Sequence, residues 1–302
     1  MIKKRIVLAS LLFIKLLGYD LPVTINLGYS NILEGGPIRP THGFYWYQYF
    51  NSYHAKKFTD NCGKPLASPL TELNAVVGAT QLIYQTEKNY LLNAKLGIDV
   101  IWYYDFYSKI NAPTTLINTS GTGASDPYAG LYLQWDPIMR GDRPIFVHRL
   151  ELAASFPAGK YKTGDLFNPG NGFYYINPNW AATLFFTEHL ATSLHLHYIW
   201  SSKNKHTGIT AGQAMSFNYS LEYELIKNFW VAVNGYYLNQ FTNSRFNHSP
   251  LPGRKERVFS IGPAALYSPN DDLYFFMNLY FESQARNRPQ GVSFLLRSVV
   301  HF

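Results

Sequence analysis

The sequence predicts an all-β fold, namely a transmembrane, up-and-down, antiparallel β-barrel of twelve strands. Segments of roughly ten residues with alternating apolar and polar side chains recur from Phe44 to Phe302. The connections between them are alternately long and short. Aromatic residues make up 17% of the chain and charged residues only 15%, whereas soluble domains carry about 25% charge. After the first twenty residues no apolar run approaches the roughly 18 residues that a transmembrane helix needs.

Residues 1–18 have the pattern of a secretory signal peptide. Three cationic residues at 3–5 precede an apolar run at 6–14, and Gly18 offers a small residue for cleavage. Cleavage anywhere between Gly18 and Leu21 fits the sequence, and an uncleaved anchor is the alternative. The leader implies export, and with the strand pattern it places the chain in the outer membrane of a Gram-negative bacterium.

Residues 19–43 contain several glycines and prolines and show no long alternation. Two alternatives stay open for this segment: a plug that folds into the lumen, or a disordered periplasmic extension. Residues 44–302 are expected to form the barrel.

The alternation predicts twelve strands. They are 44–53, 72–84, 91–106, 127–135, 145–156, 174–186, 190–200, 214–225, 229–239, 256–267, 273–282 and 291–302. Connections after the odd-numbered strands are long and those after the even-numbered strands are short, so the long loops share one side. In bacterial outer-membrane barrels that side is extracellular, which places both chain ends in the periplasm. The exception is 283–290, which is no longer than the turn at 136–144.

Each strand has one face suited to lipid and one suited to water. In 91–106, Leu96, Ile98 and Trp102 alternate with polar residues that include Lys95 and Asp99. Lipid would not tolerate these charges, so they are expected to face the lumen. The same reasoning gives a set of inward charged residues: Lys95, Asp99, Asp105, Arg149, Glu151, His195, His197, Glu222, Glu224, Glu282 and Arg297.

These inward charges allow two interpretations. They could pair across the barrel as a salt-bridged belt, because charges in a narrow interior need partners. They could instead form a polar constriction or contact a ligand. Twelve strands lie between the eight that fill their own interior and the 16 to 18 that leave a channel. Several tyrosines also face inward and predict a narrow, aromatic passage: Tyr103, Tyr128, Tyr132, Tyr236 and Tyr280.

Two further kinds of site have to be considered, a metal site and a serine–histidine pair. His195 and His197 point the same way and could form a metal site with Glu222 or Glu224, but they fit hydrogen-bonded lumen residues better, and we expect neither a metal nor a cofactor. Ser193 and His195 share a face, yet no neighbouring acid is fixed by the sequence. The single cysteine, Cys62, can form no internal disulfide.

Three local patterns stand out in the first two thirds of the chain. They are Gly35-Gly36-Pro37 continuing to Gly43-Phe44-Tyr45 and Asp60-Asn61-Cys62-Gly63; Asp126-Pro127-Tyr128-Ala129-Gly130-Leu131; and Phe156-Pro157-Ala158-Gly159-Lys160-Tyr161 followed by Asn168-Pro169-Gly170. Together they resemble the outer-membrane family named for the phenol meta-degradation pathway. The resemblance covers nearly the whole mature chain. It implies a barrel associated with uptake of hydrophobic or aromatic compounds, and it brings no catalytic residues.

The expected function is passive uptake of small hydrophobic or aromatic solutes, gated by the N-terminal segment or by the loop 157–173. We do not expect an enzyme. The alternatives are a non-transporting surface or structural barrel of the adhesin kind and, third, an outer-membrane hydrolase. Expected partners are outer-membrane lipid, lipopolysaccharide, a small apolar solute and the barrel-assembly machinery, which would read the terminal Phe302. Beyond the leader, 22 basic residues face 19 acidic ones, a balance too mild to indicate nucleic acid.

Overall fold

The computed structural model describes residues 20–36, 41–66, 72–111, 120–163, 165 and 167–302. Within them, twelve long strands follow one another. Their bounds are β1 Gly43–Phe58, β2 Glu72–Leu91, β3 Ala94–Asn111, β4 Tyr128–Gln134, β5 Arg143–Ser155, β6 Tyr175–Phe185, β7 Leu190–Ser201, β8 Ala214–Ile226, β9 Phe229–Gln240, β10 Arg257–Asn270, β11 Leu273–Arg286 and β12 Pro289–His301. All but β4 reach the about 9–11 residues that cross a bilayer. In this part of the chain, no helix is long and apolar enough to span a membrane.

The sheet closes on itself. Each strand pairs antiparallel with the next, and β1 pairs with β12 from Tyr45↔His301 to Phe58↔Pro289. At this seam Phe44 and Phe302 exchange two backbone hydrogen bonds of 2.8 and 2.9 Å. Closure leaves no open sheet edge, as a membrane requires. The prediction of a twelve-stranded, up-and-down barrel is confirmed.

The connections lie at two ends, which we name by their length. Those after odd-numbered strands form the long-loop end, and those after even-numbered strands form the short-turn end. The connections contain several short strands. Ser120–Ala124 pairs with β3, and Ile138–Arg140 pairs with β5. A separate sheet at the long-loop end consists of Ile209–Thr210, Ser244–Phe246 and Ser249–Leu251.

The predicted turn at 85–90 is wrong. Strand β2 continues through it, and the chain reverses at Leu92 and Asn93, whose φ angles are 52° and 56°. Polar residues occupy the predicted turn, but a strand that extends beyond the hydrocarbon layer can stay paired with polar side chains on both faces. Hydropathy therefore did not mark where this hairpin ends.

The connection predicted at 283–290, the exception among those after odd-numbered strands, is shorter still, because β11 continues to Arg286 and β12 begins at Pro289. Asn287 takes the left-handed conformation that this tight turn requires, with φ 51°, which asparagine adopts more readily than most residues. Its side-chain amide donates to the carbonyl oxygens of Gly253 and Lys255 over 3.0 and 2.8 Å. These bonds tie the turn to the neighbouring loop.

The predicted division of faces holds along the middle of the strands. Leu131 and Leu152 are 66% and 61% exposed on the outside, whereas their neighbours Tyr132 and Glu151 are 3% and 4% exposed. The outer surface is thus apolar and the inner wall is polar and aromatic. This arrangement suits lipid outside and a filled lumen inside.

Candidate functional site: the lumen and the segment inside it

Residues 20–36, which precede β1, lie inside the barrel, and we call them the lumen segment. At the long-loop end, the Leu21 amide donates to Oε1 of Glu256 over 2.8 Å. Towards the short-turn end, the Leu33 amide donates to Oε1 of Glu222 over 3.2 Å. The segment therefore follows the lumen from one end of the barrel towards the other before the chain enters β1.

Polar side chains of the wall satisfy the backbone of this segment, which has no secondary structure of its own. The Gly28 amide donates to Oδ1 of Asn218 over 3.0 Å, and the Tyr280 hydroxyl donates to the Gly28 carbonyl over 2.7 Å. The Gly35 amide donates to Oγ1 of Thr183 over 2.9 Å. Buried backbone groups need such partners, so the inward polar residues hold one particular path of the segment.

The charged centre of the lumen is built around Glu34 of the segment. Its Oε2 lies 3.3 Å from Nη1 of Arg297, and its Oε1 lies 3.8 Å from Nη2 of Arg149 and 3.5 Å from Nδ1 of His195. These four side chains, which we call the Glu34 cluster, are all at least 88% buried. Three strands, β5, β7 and β12, thus converge on one carboxylate.

The predicted inward residues lie as follows. Thirteen of the sixteen are buried: Lys95, Asp99, Tyr103, Asp105, Tyr128, Tyr132, Glu151, His195, His197, Glu222, Tyr236, Tyr280 and Arg297. The other three, Arg149, Glu224 and Glu282, are partly exposed. Glu224 lies at the short-turn end, 3.1 Å from His189. Glu282 accepts hydrogen bonds of 2.6 and 2.7 Å from two tyrosine hydroxyls, those of Tyr53 and Tyr236.

The ion pairs differ from a belt that joins opposite walls. Arg149 and Arg297 pair with the lumen segment through Glu34, and Arg254 pairs with Asp20 of the same segment over 2.5 Å. Sequence reasoning missed both acidic partners, because the segment has no periodicity to mark which side chains face the wall. Lys95 pairs instead with Asp136, over 2.5 Å, near the short turns.

The histidines and serines of the wall form a hydrogen-bond network. His195 contacts Oγ of Ser30 through Nδ1 over 2.9 Å and Oδ1 of Asn179 through Nε2 over 2.8 Å. Ser193 donates to Glu222 over 2.7 Å. The Ser193 and His195 side chains thus each bond to other groups. Among the described residues, no group of three or more His, Cys, Asp or Glu side chains is placed to hold a metal ion.

Beside the segment, the lumen keeps a cavity of about 1060 Å³. It extends from the short-turn end, at Asp272 and Tyr274, to Tyr128 and Tyr175 deep in the barrel. Of the predicted lumen tyrosines, Tyr103, Tyr128 and Tyr132 line it. Tyr236 and Tyr280 are buried next to Gly28 of the lumen segment, with ring centroids 5.2 Å apart.

The family-motif residues of the long-loop end are joined by the buried Asp126 carboxylate. The amides of Gly159 and Asn171 donate to its two oxygens over 2.8 and 2.7 Å, and the Asn171 side chain adds a third bond of 2.8 Å. Burial raises the pKa of Asp126, although the bonds from Asn171 and Gly159 lower it. Oδ1 of Asn171 in turn accepts from the Val23 amide over 2.8 Å. The motif thus connects two loops to the lumen segment.

The remaining motif residues shape the same loop. Gly170 donates to the Lys160 carbonyl over 2.9 Å, and the Lys160 amide donates to the Ala124 carbonyl over 3.0 Å. The Pro169 carbonyl accepts a hydrogen bond from Ser125. Further contacts involve Pro157 next to the Ala158–Phe156 turn, Tyr161 stacked on His206, and Asn168 accepting from the Lys162 amide.

We predict that Asp126→Ala loosens the long-loop end. The substitution leaves three donors without their acceptor. Each buried donor that finds no other partner costs about 1–3 kcal/mol. Amide hydrogen exchange at Gly159 and Asn171 should therefore accelerate at least tenfold, which corresponds to about 1.4 kcal/mol. Asp142→Ala, an exposed aspartate at the other end, is the control. Unchanged exchange in the Asp126 variant would contradict the role of this carboxylate.

A solved structure shows the same fold, and others are less similar. An outer membrane channel from Pseudomonas putida F1 superimposes with a TM-score of 0.75 at 14% identity, over 87% of this chain and 96% of that chain. The transport unit of the autotransporter AIDA-I from Escherichia coli gives 0.49 at 9% identity, over 98% and 97%, and the NanC porin gives 0.42 at 9% identity, over 85% and 99%. A search of curated proteins gave no match.

The closed barrel places the protein in the outer membrane, in contact with lipid and lipopolysaccharide, and the likeness to the Pseudomonas putida channel shows the same fold. A profile of one protein family, described as "Putative MetA-pathway of phenol degradation", matches residues 55–298. The matched region contains eleven of the twelve strands in full or nearly so and the complete Asp126 loop motif. The chain belongs to this phenol-degradation family of outer-membrane barrels.

Proposed function

We propose that the protein is a channel for passive uptake of small apolar or aromatic solutes across the outer membrane. The observation that carries the proposal is the aromatic cavity of about 1060 Å³ inside the barrel. It is lined by rings such as those of Tyr45, Tyr47, Tyr49 and Phe276. Such rings can bury the apolar ring of a solute, beside polar groups of the wall such as Asn177 and Asn179.

We propose that the lumen segment is the gate. It occupies the lumen and is held by hydrogen bonds and ion pairs to several strands, such as those of Gly28, Glu34 and Gly35. No helix or strand has to break for the segment to move. A solute would cross when the segment shifts along the wall, and the Asp126 loop at its outer end would limit that movement.

We also propose that the C-terminal strand is read during assembly. The Phe302 ring is 65% exposed and stacks on Phe44, with ring centroids 6.4 Å apart. It is thus available on the surface at the seam where the barrel closes, where assembly machinery would contact the last strand.

The test compares the uptake of a labelled neutral aromatic, benzyl alcohol, with that of a sugar of similar size. Porin-poor cells with and without the protein in their outer membrane provide the comparison. A gain confined to the aromatic supports the proposal, and an equal gain for both solutes indicates an unselective pore. No gain for either would favour a second candidate, a surface or structural barrel, which the filled lumen also fits.

A further inference from the structure

We propose that the Glu34 cluster is a binding site for the carboxylate of an aromatic acid, and that Glu34 occupies it as a tethered substitute for this ligand. The inference rests on the proposed uptake function and narrows its solute class. In the closed barrel the carboxylate of the lumen segment sits between the guanidinium groups of Arg149 and Arg297. A small aromatic carboxylate would take the same position.

The two guanidinium groups are only loosely satisfied by Glu34. A charge-assisted N–H···O bond is about 2.7–2.9 Å long, whereas Glu34 lies 3.3 Å from Arg297 and 3.8 Å from Arg149. Within the described chain, Nε of both arginines has no hydrogen-bond partner. Arg297 otherwise reaches the Tyr29 carbonyl, over 3.3 Å. Buried donors without acceptors are costly, so the site favours an anion that fits it better.

Aromatic rings surround the same two charges. The Arg297 guanidinium carbon lies 3.7 Å from the centroid of the Phe276 ring, and that of Arg149 lies 5.2 Å from the centroid of the Tyr132 ring. Tyr47 lines the same cavity. The rings limit the orientations of the guanidinium groups and provide apolar surface beside them. A ligand with a carboxylate at one end and a ring at the other matches both features.

Three other acidic groups of the lumen wall do not occupy the site. Asp99 receives a hydrogen bond of 2.7 Å from Gln81, and Glu222 receives bonds of 2.7 and 2.6 Å from two serines. Glu151 faces the lumen two residues beyond Arg149 on β5, opposite Tyr132. Arg149 lies opposite Gln134, nearer the short turns than Glu151. A carboxylate that contacted both arginines would therefore have Glu151 at the edge of its site.

The site also couples binding to opening. An incoming carboxylate that takes both guanidinium groups leaves Glu34 without its partners, and a buried, unpaired carboxylate is strongly disfavoured. The segment would then leave this part of the lumen. Because Glu34 competes for the same two guanidinium groups, removing its charge should raise the affinity for the external carboxylate.

The experiment measures binding of benzoate to the purified full-length protein in detergent by titration calorimetry, with benzamide as the neutral isostere and acetate as the anion without a ring. We expect binding of benzoate over both. Glu34→Gln should raise benzoate affinity roughly tenfold. Arg149→Gln should lower it roughly tenfold, whereas Arg149→Lys should keep part of it. Arg245→Gln, an exposed arginine of the long-loop end, is the matched control.

Equal affinities for benzoate and benzamide, or no response to Glu34→Gln and Arg149→Gln in folded protein, would overturn the carboxylate site. This failure is distinct from failure of the proposed function. Uptake of benzyl alcohol in cells with benzoate and benzamide bound alike would leave the channel standing without the site. Tight, Arg149-dependent benzoate binding without uptake of any aromatic would leave the site standing and overturn the channel.

Discussion

Replacement of Gly35 by valine is expected to displace the lumen segment and to raise the conductance of the reconstituted protein. A Cβ atom on Gly35 would lie 2.2 Å from the carbonyl oxygen of Val147 and 2.5 Å from the amide nitrogen of Thr183. These two residues are paired across β5 and β6, so neither backbone can give way. Overpacking of this kind costs about 3 kcal/mol, which shifts the ratio of docked to undocked segment by roughly 100-fold.

Single-channel recording in planar bilayers would measure the conductance, and amide exchange at Gly28 and Leu33 would report the position of the segment. The barrel itself should keep its thermal stability, because its strand pairing does not involve Gly35. Thr122→Val, which changes an exposed residue of the long-loop end without changing its volume, is the control. Wild-type conductance together with wild-type exchange would contradict the docking described for Gly35.

The barrel could be predicted because lipid imposes a period of two on every strand. Leu131 and Leu152 face it, while Tyr132 and Glu151 between them do not. The physical signal ends where the hydrocarbon ends. Strand β2 continues past this limit to Leu91, and neither face of its last residues has to be apolar, so the sequence could not place that turn.

The sequence predicts the inward residues of the barrel wall but not their partners in the lumen segment. Inward residues such as Arg149 and Arg297 follow from the alternation, but their partner does not. Glu34 belongs to a segment of irregular backbone, in which neighbouring residues point in directions that no period describes. The local hint is the pair Gly35 and Gly36, since glycines are needed where backbone approaches backbone closely, as Gly35 does at Val147.

The Glu34 cluster also predicts a strong energetic coupling between Arg297 and Glu34. Arg297→Met should destabilise docking of the lumen segment by about 3–5 kcal/mol, because it removes one cation from a buried carboxylate and leaves that charge poorly compensated. Glu34→Gln alone should also weaken docking, since it leaves two buried cations without an anion. The double variant should recover much of the loss, because it removes the Glu34 carboxylate and one of its cations together.

Native-state amide exchange of the lumen segment gives the free energy of docking for each variant, and the double-mutant cycle gives the coupling between Arg297 and Glu34. The comparison cycle uses Lys162 and Asp165, whose charges are 3.8 Å apart with side chains 73% and 14% exposed, so that the Lys162 cation is open to solvent. Exposed pairs contribute about 0–1 kcal/mol, so this cycle should show little coupling. Equal coupling in the two cycles would mean that burial adds nothing to the Glu34 contacts, and the segment would then be held by its backbone hydrogen bonds alone.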